Sequence, residues 1–512
     1  MKFLRLCIVL VLASGARAER INHEGRLLGP LPVVNQPILF NTPEADAVVA
    51  AMQIMPVTSA WNERIDQRPL LANSGAMIAQ ISADLAAGRR ILRPFFEMNY
   101  VLVPDDQPTR AIEFFNYPDE SDLDGGTDPF GQYPIAANLP VEGWPIETGG
   151  LTLDEWQRDV NNTGGDRHAI IVRPGAGFIW ETWLTRLVGT AWRASNGAKF
   201  NLNSNALRPA GWTSGDAAGL PMFPALVRYD ECQRGMVEHA LRLIVKHTRQ
   251  GPIYPATHHA SVPPTSDPNV PAMGQRLRLQ AGFAIPANWT IQEKAVCLAL
   301  KKYGALVADN GGFFSVSICP DDRFPSGCFD HLKTIAIGSF EVVQTTGANE
   351  GPRSPGAPGA NAGPDQVIAF GASATLSGAV SGSGAVQWKV AAGPGTVTFA
   401  NPSQPATTAT FSHPGRHTLL LSVDDGIHAV THDAVAIAVV LDLSVTQEGN
   451  DSLVHFANLI GRSYRLERSP DLSPASWTTL ADNLGGTGAT IQVRDTNALS
   501  LPKRFYRARV LP

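Results

Sequence analysis

The residue types best suited to chemistry gather in one polar, turn-rich stretch, residues 201–231. Glycine and proline let such a stretch hold side chains at angles that helices and strands do not permit. Functional side chains concentrate on loops of this kind when a rigid scaffold carries them. We therefore expect the functional site to be built around this stretch. Its candidate residues are Trp212, Asp216, Arg228, Asp230 and Glu231.

Carboxylates in and beyond this stretch suggest hydrolysis of a glycosidic bond. That reaction uses two carboxyl groups, one protonated as the acid and one ionised as base or nucleophile. The catalytic carboxylate candidates are Asp216, Glu231 and Asp309. The predicted substrate contacts beside them are Trp212, whose aromatic face suits a sugar ring, Arg228 and Asp230.

Asp216 is the strongest of these candidates. Its loop, residues 213–219, has glycines on both sides and few apolar residues. This composition predicts that Asp216 stays out of the packed core and faces a functional cleft. The alternative is that Asp216 caps a turn through its own backbone.

A polysaccharide lyase is a further alternative, and it would use a different set of residues. His168 and His258 would perform the acid–base steps, and Arg276 would hold an acidic sugar. A lone histidine in a strand is more often structural than catalytic. No serine lies in a GxSxG nucleophile motif.

Composition and termini exclude several classes of function. The chain has 512 residues, a formal net charge of −5 and no long basic run, so nothing indicates nucleic-acid binding. Residues 1–18 have the charged start, short apolar run and Ala-Arg-Ala ending of a secretory signal peptide. No later segment is long and apolar enough to span a membrane. We expect a secreted monomer, extracellular or periplasmic, that acts on a polysaccharide or cell-surface glycan.

Four cysteines remain after the signal peptide: Cys232, Cys297, Cys319 and Cys328. Export permits disulfides, and the turn-rich segment between Cys319 and Cys328 suggests one bridge there. A bridge between Cys232 and Cys297 would follow, although four cysteines allow three pairings. The CxxC spacing of zinc sites is absent, and the acidic loop 119–124 lacks the EF-hand pattern. We therefore predict neither a metal nor a cofactor.

Short alternating strands between glycine and proline turns predict a mainly β protein. We expect a β-sandwich or jelly-roll-like large domain with a few peripheral helices, followed by two small β-sandwich modules. Hairpins are predicted over residues 93–117 and 167–184, and a strand with one polar face over 274–283. The predicted divisions are a signal peptide (1–18), a large domain (19–345), a linker (346–360), and modules over 361–440 and 441–512.

Two resemblances support this division. The segments NAGPDQ at 361–366, GPGTVTF at 393–399 and SVDDG at 422–426, with Trp388, resemble a PKD-type immunoglobulin-like domain of extracellular bacterial proteins. That resemblance implies a β-sandwich spacer or adhesion module. Residues 464–472, Trp477 and 505–507 resemble C-terminal β-modules appended to many secreted bacterial proteins.

Residues 40–345 resemble a family of exported bacterial proteins of unestablished activity. The motifs that carry this resemblance are DESD at 119–122, GDRH at 165–168, SNALRP at 204–209, DAAGLP at 216–221, RYDE at 228–231 and ADNG at 308–311. The resemblance implies a single exported domain and names no reaction. The glycine-rich loop after Asp122 and the segment 319–328 depart from the family pattern.

Two classes of function therefore remain open for the large domain. The first is a polysaccharide hydrolase or lyase; the second is a non-catalytic polysaccharide-binding or adhesive exoprotein. In the second case the loop carboxylates would only cap turns and pair with arginines. Convergence of Asp216, Glu231, His168, His258 and Asp309 in one groove would favour the enzyme.

Overall fold

The protein is described by a computed structural model that covers residues 20–162, 165–260, 264–344, 357–426, 428, 430–500 and 503–511. The predicted signal peptide and most of the predicted linker lie outside these residues. The described part of the chain is mainly β, as predicted, with 35% of its residues in strands against 14% in helices. No helix within the described ranges combines the length and apolar character needed to cross a membrane.

Fifteen strands form the large domain within the described residues. They are β1 (Ile38–Leu39), β2 (Leu92–Phe96), β3 (Val101–Leu102), β4 (Arg110–Phe114), β5 (Phe130–Tyr133), β6 (Ala169–Arg173), β7 (Phe178–Trp183), β8 (Arg186–Val188), β9 (Ala191–Ala194), β10 (Asn196–Asn201), β11 (Leu241–Val245), β12 (Arg276–Leu279), β13 (Ala305–Asn310), β14 (Phe314–Ile318) and β15 (Phe340–Val342).

These strands make three sheets, with orders β1-β3-β6-β7-β10, β15-β12-β13-β11-β14-β2 and β5-β4-β9-β8. The second sheet is mixed, because β11 runs parallel to β13 and β14 runs parallel to β2. The predicted hairpin of β6 and β7 is confirmed by their antiparallel pairing. The predicted hairpin over residues 93–117 is wrong, because β2 pairs with β14 while β4 pairs with β5 and β9.

The helices lie around these sheets, and their ends follow local sequence signals. They are α1 (Pro43–Ala50), α2 (Ser74–Ala83), α3 (Leu153–Gln157), α4 (Tyr229–Arg234) and α5 (Ile291–Lys302). α5 begins with a capping box in which Thr290 and Glu293 satisfy each other's backbone amides. It ends before Gly304, whose φ of 65° is a left-handed conformation that favours glycine.

Two small β-modules follow. The first contains β16 (Gly359–Asn361), β17 (Gln366–Ala369), β18 (Ala374–Ser377), β19 (Ala379–Ser381), β20 (Ala385–Ala392), β21 (Val397–Phe399), β22 (Ala406–Phe411), β23 (Gly415–Asp424) and β24 (Thr431–Val440). The second contains β25 (Leu443–Glu448), β26 (Asp451–Phe456), β27 (Ser463–Ser469), β28 (Thr478–Gly485), β29 (Ile491–Asp495) and β30 (Phe505–Val510).

Each small module packs sheets face to face, and aromatic side chains join them. In the first, Trp388 of β20 stacks on Phe399 of β21 across a centroid distance of 6.2 Å. In the second, Phe456 of β26 meets Tyr464 of β27 edge-on at 5.5 Å. Both modules contribute to one continuous apolar cluster, separate from the two clusters of the large domain.

The two predicted disulfides are absent, because the four described cysteines are free and buried. The segment between Cys319 and Cys328 folds around Phe324 and Phe329, whose rings lie 5.0 Å apart edge-on. In this packing the thiols of Cys319 and Cys328 are both buried and are not bonded to each other. A turn-rich segment is therefore not sufficient to bring its two end thiols together.

We expect four labelled thiols when the mature chain is unfolded without reductant and treated with a maleimide. In the folded protein, labelling should be slow, because burial raises the pKa of Cys297 to about 12 and that of Cys328 to about 11. The thiolate is the reacting species, so these thiols are protected chemically as well as sterically. Mass spectrometry counts the labels, and two or no labels after unfolding would contradict this expectation.

Candidate functional site

The candidate site is organised around Arg242, the second residue of β11. Its neighbours Leu241 and Leu243 point into the core, and Arg242 itself is also buried, with 2% of its side chain exposed. A buried guanidinium requires carboxylate partners, because an unpaired charge in the interior costs several kcal/mol. Arg242 has such partners on three sides, and they come from distant parts of the chain.

Asp216 is the principal partner of Arg242. Its two oxygens accept hydrogen bonds from Nε at 2.9 Å and Nη2 at 2.8 Å, a bidentate pair. Asp216 Oδ1 also accepts from the amide of Ala217 at 3.0 Å, as a turn cap would. The prediction that Asp216 stays out of the packed core is wrong, because the residue is 2% exposed. The glycine-rich loop packs it inward against Arg242.

Asp309 reaches the same guanidinium from β13. Its Oδ2 lies 2.7 Å from Arg242 Nη2, and 21% of its side chain is exposed. The register between β11 and β13 shifts by one residue just before Asp309. A bulge of this kind redirects side chains in a strand and is common beside active sites.

Glu97 approaches Arg242 from the end of β2. Its Oε2 accepts from Ser317 Oγ at 2.8 Å and lies 3.4 Å from Arg242 Nη1. Ser317 in turn lies 3.2 Å from the same nitrogen, so the hydroxyl links carboxyl and guanidinium. Only 16% of the Glu97 side chain is exposed.

Glu142 and His168 form the adjoining pair. Glu142 Oε2 lies 2.9 Å from His168 Nδ1 and accepts from the His168 amide at 3.1 Å. The amide of Gly143 donates to the carbonyl of Glu97 at 2.8 Å. This hydrogen bond places the backbones of Glu97 and Glu142 side by side. Glu142 is 20% exposed at its side chain, whereas His168 is buried beneath it.

Glu181 lies behind this group without reaching solvent. It accepts from the amides of Met222 and Phe223 at 2.8–2.9 Å. Burial raises the pKa of Glu181, with a smaller upward contribution from Asp216 and an opposing one from His168. The neighbouring Gly215 permits this packing, because a Cβ there would come within 2.6 Å of Met222 Cε and 3.3 Å of Glu181 Cβ.

Five carboxyl groups therefore lie around only two cationic side chains, Arg242 and His168. The five are those of Glu97, Glu142, Glu181, Asp216 and Asp309. Burial disfavours so many negative charges, and some of these groups retain their protons. Burial, reinforced by Glu142, raises the pKa of Glu97 to about 7. Burial likewise raises the pKa of Glu181 to about 7 and moves the pKa of Asp309 upward.

Glu142 has the opposite electrostatic environment from Glu97. Burial works against its ionisation, but the His168 imidazole and its hydrogen bonds outweigh burial and lower the pKa of Glu142. His168 is affected in return: burial opposes its charge, yet Glu142 raises its pKa to about 9. At neutral pH the site thus holds a readily protonated carboxyl, Glu97, beside an ionised one, Glu142.

Each of these two carboxyl groups keeps one oxygen available. Both use Oε2 for their protein contacts, and within the described residues Oε1 of neither group makes a hydrogen bond. Neither Oε1 belongs to the buried atoms that lack a partner. Both side chains are partly exposed, 16% for Glu97 and 20% for Glu142, so neither carboxyl group is fully enclosed.

The sequence-predicted residues divide into two groups. Asp216 and Asp309 meet at Arg242, and His168 lies beside them in its pair with Glu142. His258 is nearby, because its Nδ1 lies 2.7 Å from the carbonyl of Ala217. Trp212 is half-buried on the same loop system, where its carbonyl accepts from Thr257 Oγ1 at 3.1 Å. Its ring lies 5.5 Å from the guanidinium of Arg208.

Glu231 belongs to a second ionic cluster on α4. It pairs with Arg228 at 2.7 Å and with His239 at 3.1 Å, and Asp230 pairs with Arg234 at 2.6 Å. The cavity beside these groups encloses only about 20 Å³. That volume suits a single water rather than a sugar. The structure therefore separates Glu231, Asp230 and Arg228 from the Arg242 site.

Arg276 also lies apart from the Arg242 site. It is buried, and its guanidinium donates to the carbonyls of Tyr303, Ala60 and Glu63. Arg278 on the same strand is held in the same manner by carbonyls of residues 65–68. The predicted polar face of this strand is thus an interior face, whose arginines bind backbone carbonyls of residues 60–68.

Sequence reasoning missed Glu97, Glu142 and Arg242. One signal was available for Arg242, because a single charge inside the apolar run LRLIV indicates a buried, paired side chain. No local pattern marks Glu97 or Glu142, since their environment comes from strands far away in the sequence.

The His168–Glu142 pair predicts a pH dependence of stability. The folded-state pKa of His168 is above its unfolded value, so its contribution is complete below pH 6.5 and disappears as the pH rises through about 9. We expect the free energy of unfolding to fall by at most about 3 kcal/mol over that interval. Denaturant titrations at successive pH values measure it.

The control for that titration is His168→Asn, which keeps a polar side chain without a titrating imidazole. Its free energy of unfolding should vary less between pH 6.5 and 9 than that of the wild type. Equal slopes for the two proteins would show that His168 is not the group responsible.

Among the described residues, no group of three or more His, Cys, Asp or Glu side chains is arranged to hold a metal ion. Neither the family models nor the curated proteins contain a match to this chain.

Proposed function

We propose that the large domain is a carbohydrate-active hydrolase with Glu97 as the acid and Glu142 as its ionised partner. The observation that carries this proposal is the placement of two neighbouring carboxyl groups in opposite environments. Glu142 pairs with His168 at 2.9 Å, which lowers its pKa, whereas Glu97 is buried against Ser317, and burial raises its pKa. Pairs of titratable groups whose environments separate their pKa values mark acid and base roles. Glycoside hydrolysis requires such a pair.

In this proposal Glu97 donates its proton to the glycosidic oxygen as the bond from that oxygen to the sugar breaks. Glu142 either removes a proton from the attacking water or attacks the sugar carbon itself. The configuration of the first product distinguishes these routes. Arg242 holds Glu97 and Asp309 in place, and His168 keeps Glu142 ionised.

The other predicted residues take supporting roles in the same proposal. Asp216 positions Arg242, and Trp212 is the sugar-stacking surface at the edge of the site. His168 has a pKa of about 9 and carries a proton at neutral pH, which does not favour it as the base of a lyase. Arg276 is bonded to three carbonyls and is not available to hold a uronate.

We further infer export, with the small modules acting as PKD-type and C-terminal spacers that present the hydrolase to a glycan. This inference rests on the signal-like residues 1–18 and on the motifs at 361–426. It is compatible with the two β-modules and does not depend on the chemistry of the large domain.

The proposal is tested by screening the purified mature chain against plant, algal and bacterial polysaccharides. Reducing ends report hydrolysis, and absorbance of unsaturated products reports lyase activity. We expect reducing ends without unsaturation from at least one polymer. If the protein is retained on a polysaccharide column but releases no product from any polymer, it is a binding module. That result would contradict the hydrolase proposal.

A further inference from the structure

A sheet surface leads from the Arg242 site to an exposed group of arginine and phenylalanine side chains. Arg93, Phe95 and Glu97 alternate along β2 and its end, so they share one face of the sheet. On the neighbouring strand, Ser315 and Ser317 are paired in register with Arg93 and Phe95 and share that face. The distance along the strand from Glu97 to Arg93 is about 13 Å.

The outer end of this surface, formed by Arg89, Arg93, Phe95 and Phe313, is called the arginine platform below. The guanidinium of Arg89 lies 4.2 Å from the Phe313 ring centroid, and that of Arg93 lies 4.2 Å from the same ring. Arg93 also lies 4.6 Å from the Phe95 ring, and the two rings meet edge-on at 5.2 Å.

Both arginines are exposed, and neither forms an ion pair within the described part of the chain. Arg89 donates one hydrogen bond, to the carbonyl of Gly312 at 3.1 Å. Most of their N–H donors therefore make no hydrogen bond within the described residues, and both guanidinium groups contact the Phe313 ring. Fixed guanidinium groups with free donors are suited to carboxylate and sulfate groups, which they bind through two parallel hydrogen bonds.

Ser315 lies between the arginine platform and the Arg242 site on the same sheet. It is 1% exposed, and its Oγ is a buried atom without a hydrogen-bond partner in the described structure. Its register places it beside Arg93 on one strand and Ile244 of β11 on the other. Ser315 is thus a polar residue on the same face of the sheet, between Arg93 and the strand that carries Arg242.

We propose that the arginine platform is a binding subsite for an anionic glycan, a chain bearing uronate carboxylates or sulfate esters. The chain would extend along this face of the sheet, over Phe95, to Glu97. This assignment rests on the proposed hydrolase function and specifies its substrate class. The free N–H donors favour a polyanion over a neutral glycan. The aromatic faces and the continuity of the surface with the Arg242 site favour a glycan that extends to Glu97.

The test uses the full mature chain carrying Glu97→Gln, so that binding is measured without turnover. The probes are polygalacturonate, dextran sulfate and neutral dextran in affinity electrophoresis. We expect retardation by at least one polyanion, weakening with added salt, and little retardation by dextran. Adding Arg89→Gln and Arg93→Gln should weaken polyanion binding by about tenfold or more.

Arg110→Gln is the matched control, because Arg110 is an exposed arginine of the same domain without an ion pair in the described residues. It should leave polyanion binding unchanged. Three outcomes would contradict the subsite: equal retardation by dextran and the polyanions, no retardation by any probe, or unchanged polyanion binding after both arginine substitutions.

The two proposals fail differently. One outcome is hydrolysis of a neutral glycan that is abolished by Glu97→Gln and unaffected by the arginine substitutions. This outcome would support the hydrolase and contradict the anionic subsite. Polyanion binding that needs both arginines, without turnover by the wild type, would discard the hydrolase and leave a polyanion-binding surface. The relative retardation by polygalacturonate and dextran sulfate distinguishes carboxylate from sulfate recognition.

Discussion

Glu97→Gln is expected to reduce kcat on the polysaccharide substrate by about 10²- to 10⁴-fold, the usual contribution of a general acid. Glutamine keeps the size of Glu97 and an acceptor for Ser317, but it has no proton to donate. The free energy of unfolding should change by less than about 1.5 kcal/mol, the value of one hydrogen bond. Steady-state rates and thermal unfolding of the same preparation measure both effects.

Glu113→Gln provides the control for this experiment. Glu113 lies on β4 and pairs with Arg193 at 2.8 Å in a partly exposed position away from Arg242. Its replacement should leave kcat unchanged. An aryl glycoside of the same sugar sharpens the assignment, because a good leaving group needs no acid. Glu97→Gln should then retain turnover of the aryl glycoside, whereas Glu142→Gln should lose it; equal losses on both substrates would remove Glu97 as the acid.

Asp216→Asn is expected to destabilise the large domain by about 3 kcal/mol, because it leaves a buried guanidinium with one fewer charged partner. The bidentate pair with Arg242 carries this effect, since both oxygens of Asp216 take part. Turnover should also fall, because Arg242 positions Glu97 and Asp309. Chemical denaturation followed by tryptophan fluorescence measures the change.

Asp154→Asn is the matched control for Asp216→Asn. Asp154 pairs with Arg158 across one helical turn, and both side chains are exposed. Exposed pairs of this kind contribute little, so the unfolding midpoint should not move measurably. If Asp216→Asn unfolded at the wild-type midpoint yet lost turnover, Asp216 would be a catalytic carboxylate rather than the residue that positions Arg242.

Local sequence signals predicted the elements that depend on local contacts. The hairpin predicted over residues 167–184 is the antiparallel pair β6–β7. The mainly β character follows from the same short-range patterns. Two of the predicted site residues, Asp216 and Asp309, do meet at one guanidinium, and His168 lies in the adjoining pair with Glu142.

The remaining features depend on pairings that no short pattern encodes. β2 pairs with β14, and this brings together Glu97 and Ser317, which are 220 residues apart. Arg276 alternates with apolar residues as a solvent-facing side chain would, yet carbonyls from residues 60–63 bury it. Glycines around Asp216 indicated exposure, but they instead permit the close packing that buries the carboxylate.

The pH dependence of kcat/KM tests most directly whether the Arg242 site performs hydrolysis. Burial raises the pKa of Glu97 to about 7, so the proton that it donates is lost above that value. We predict that wild-type kcat/KM falls with an apparent pKa near 7 on the alkaline side, and that Glu97→Gln eliminates this limb from its residual activity. An alkaline limb that persists unchanged in Glu97→Gln would contradict the assignment of Glu97 as the acid.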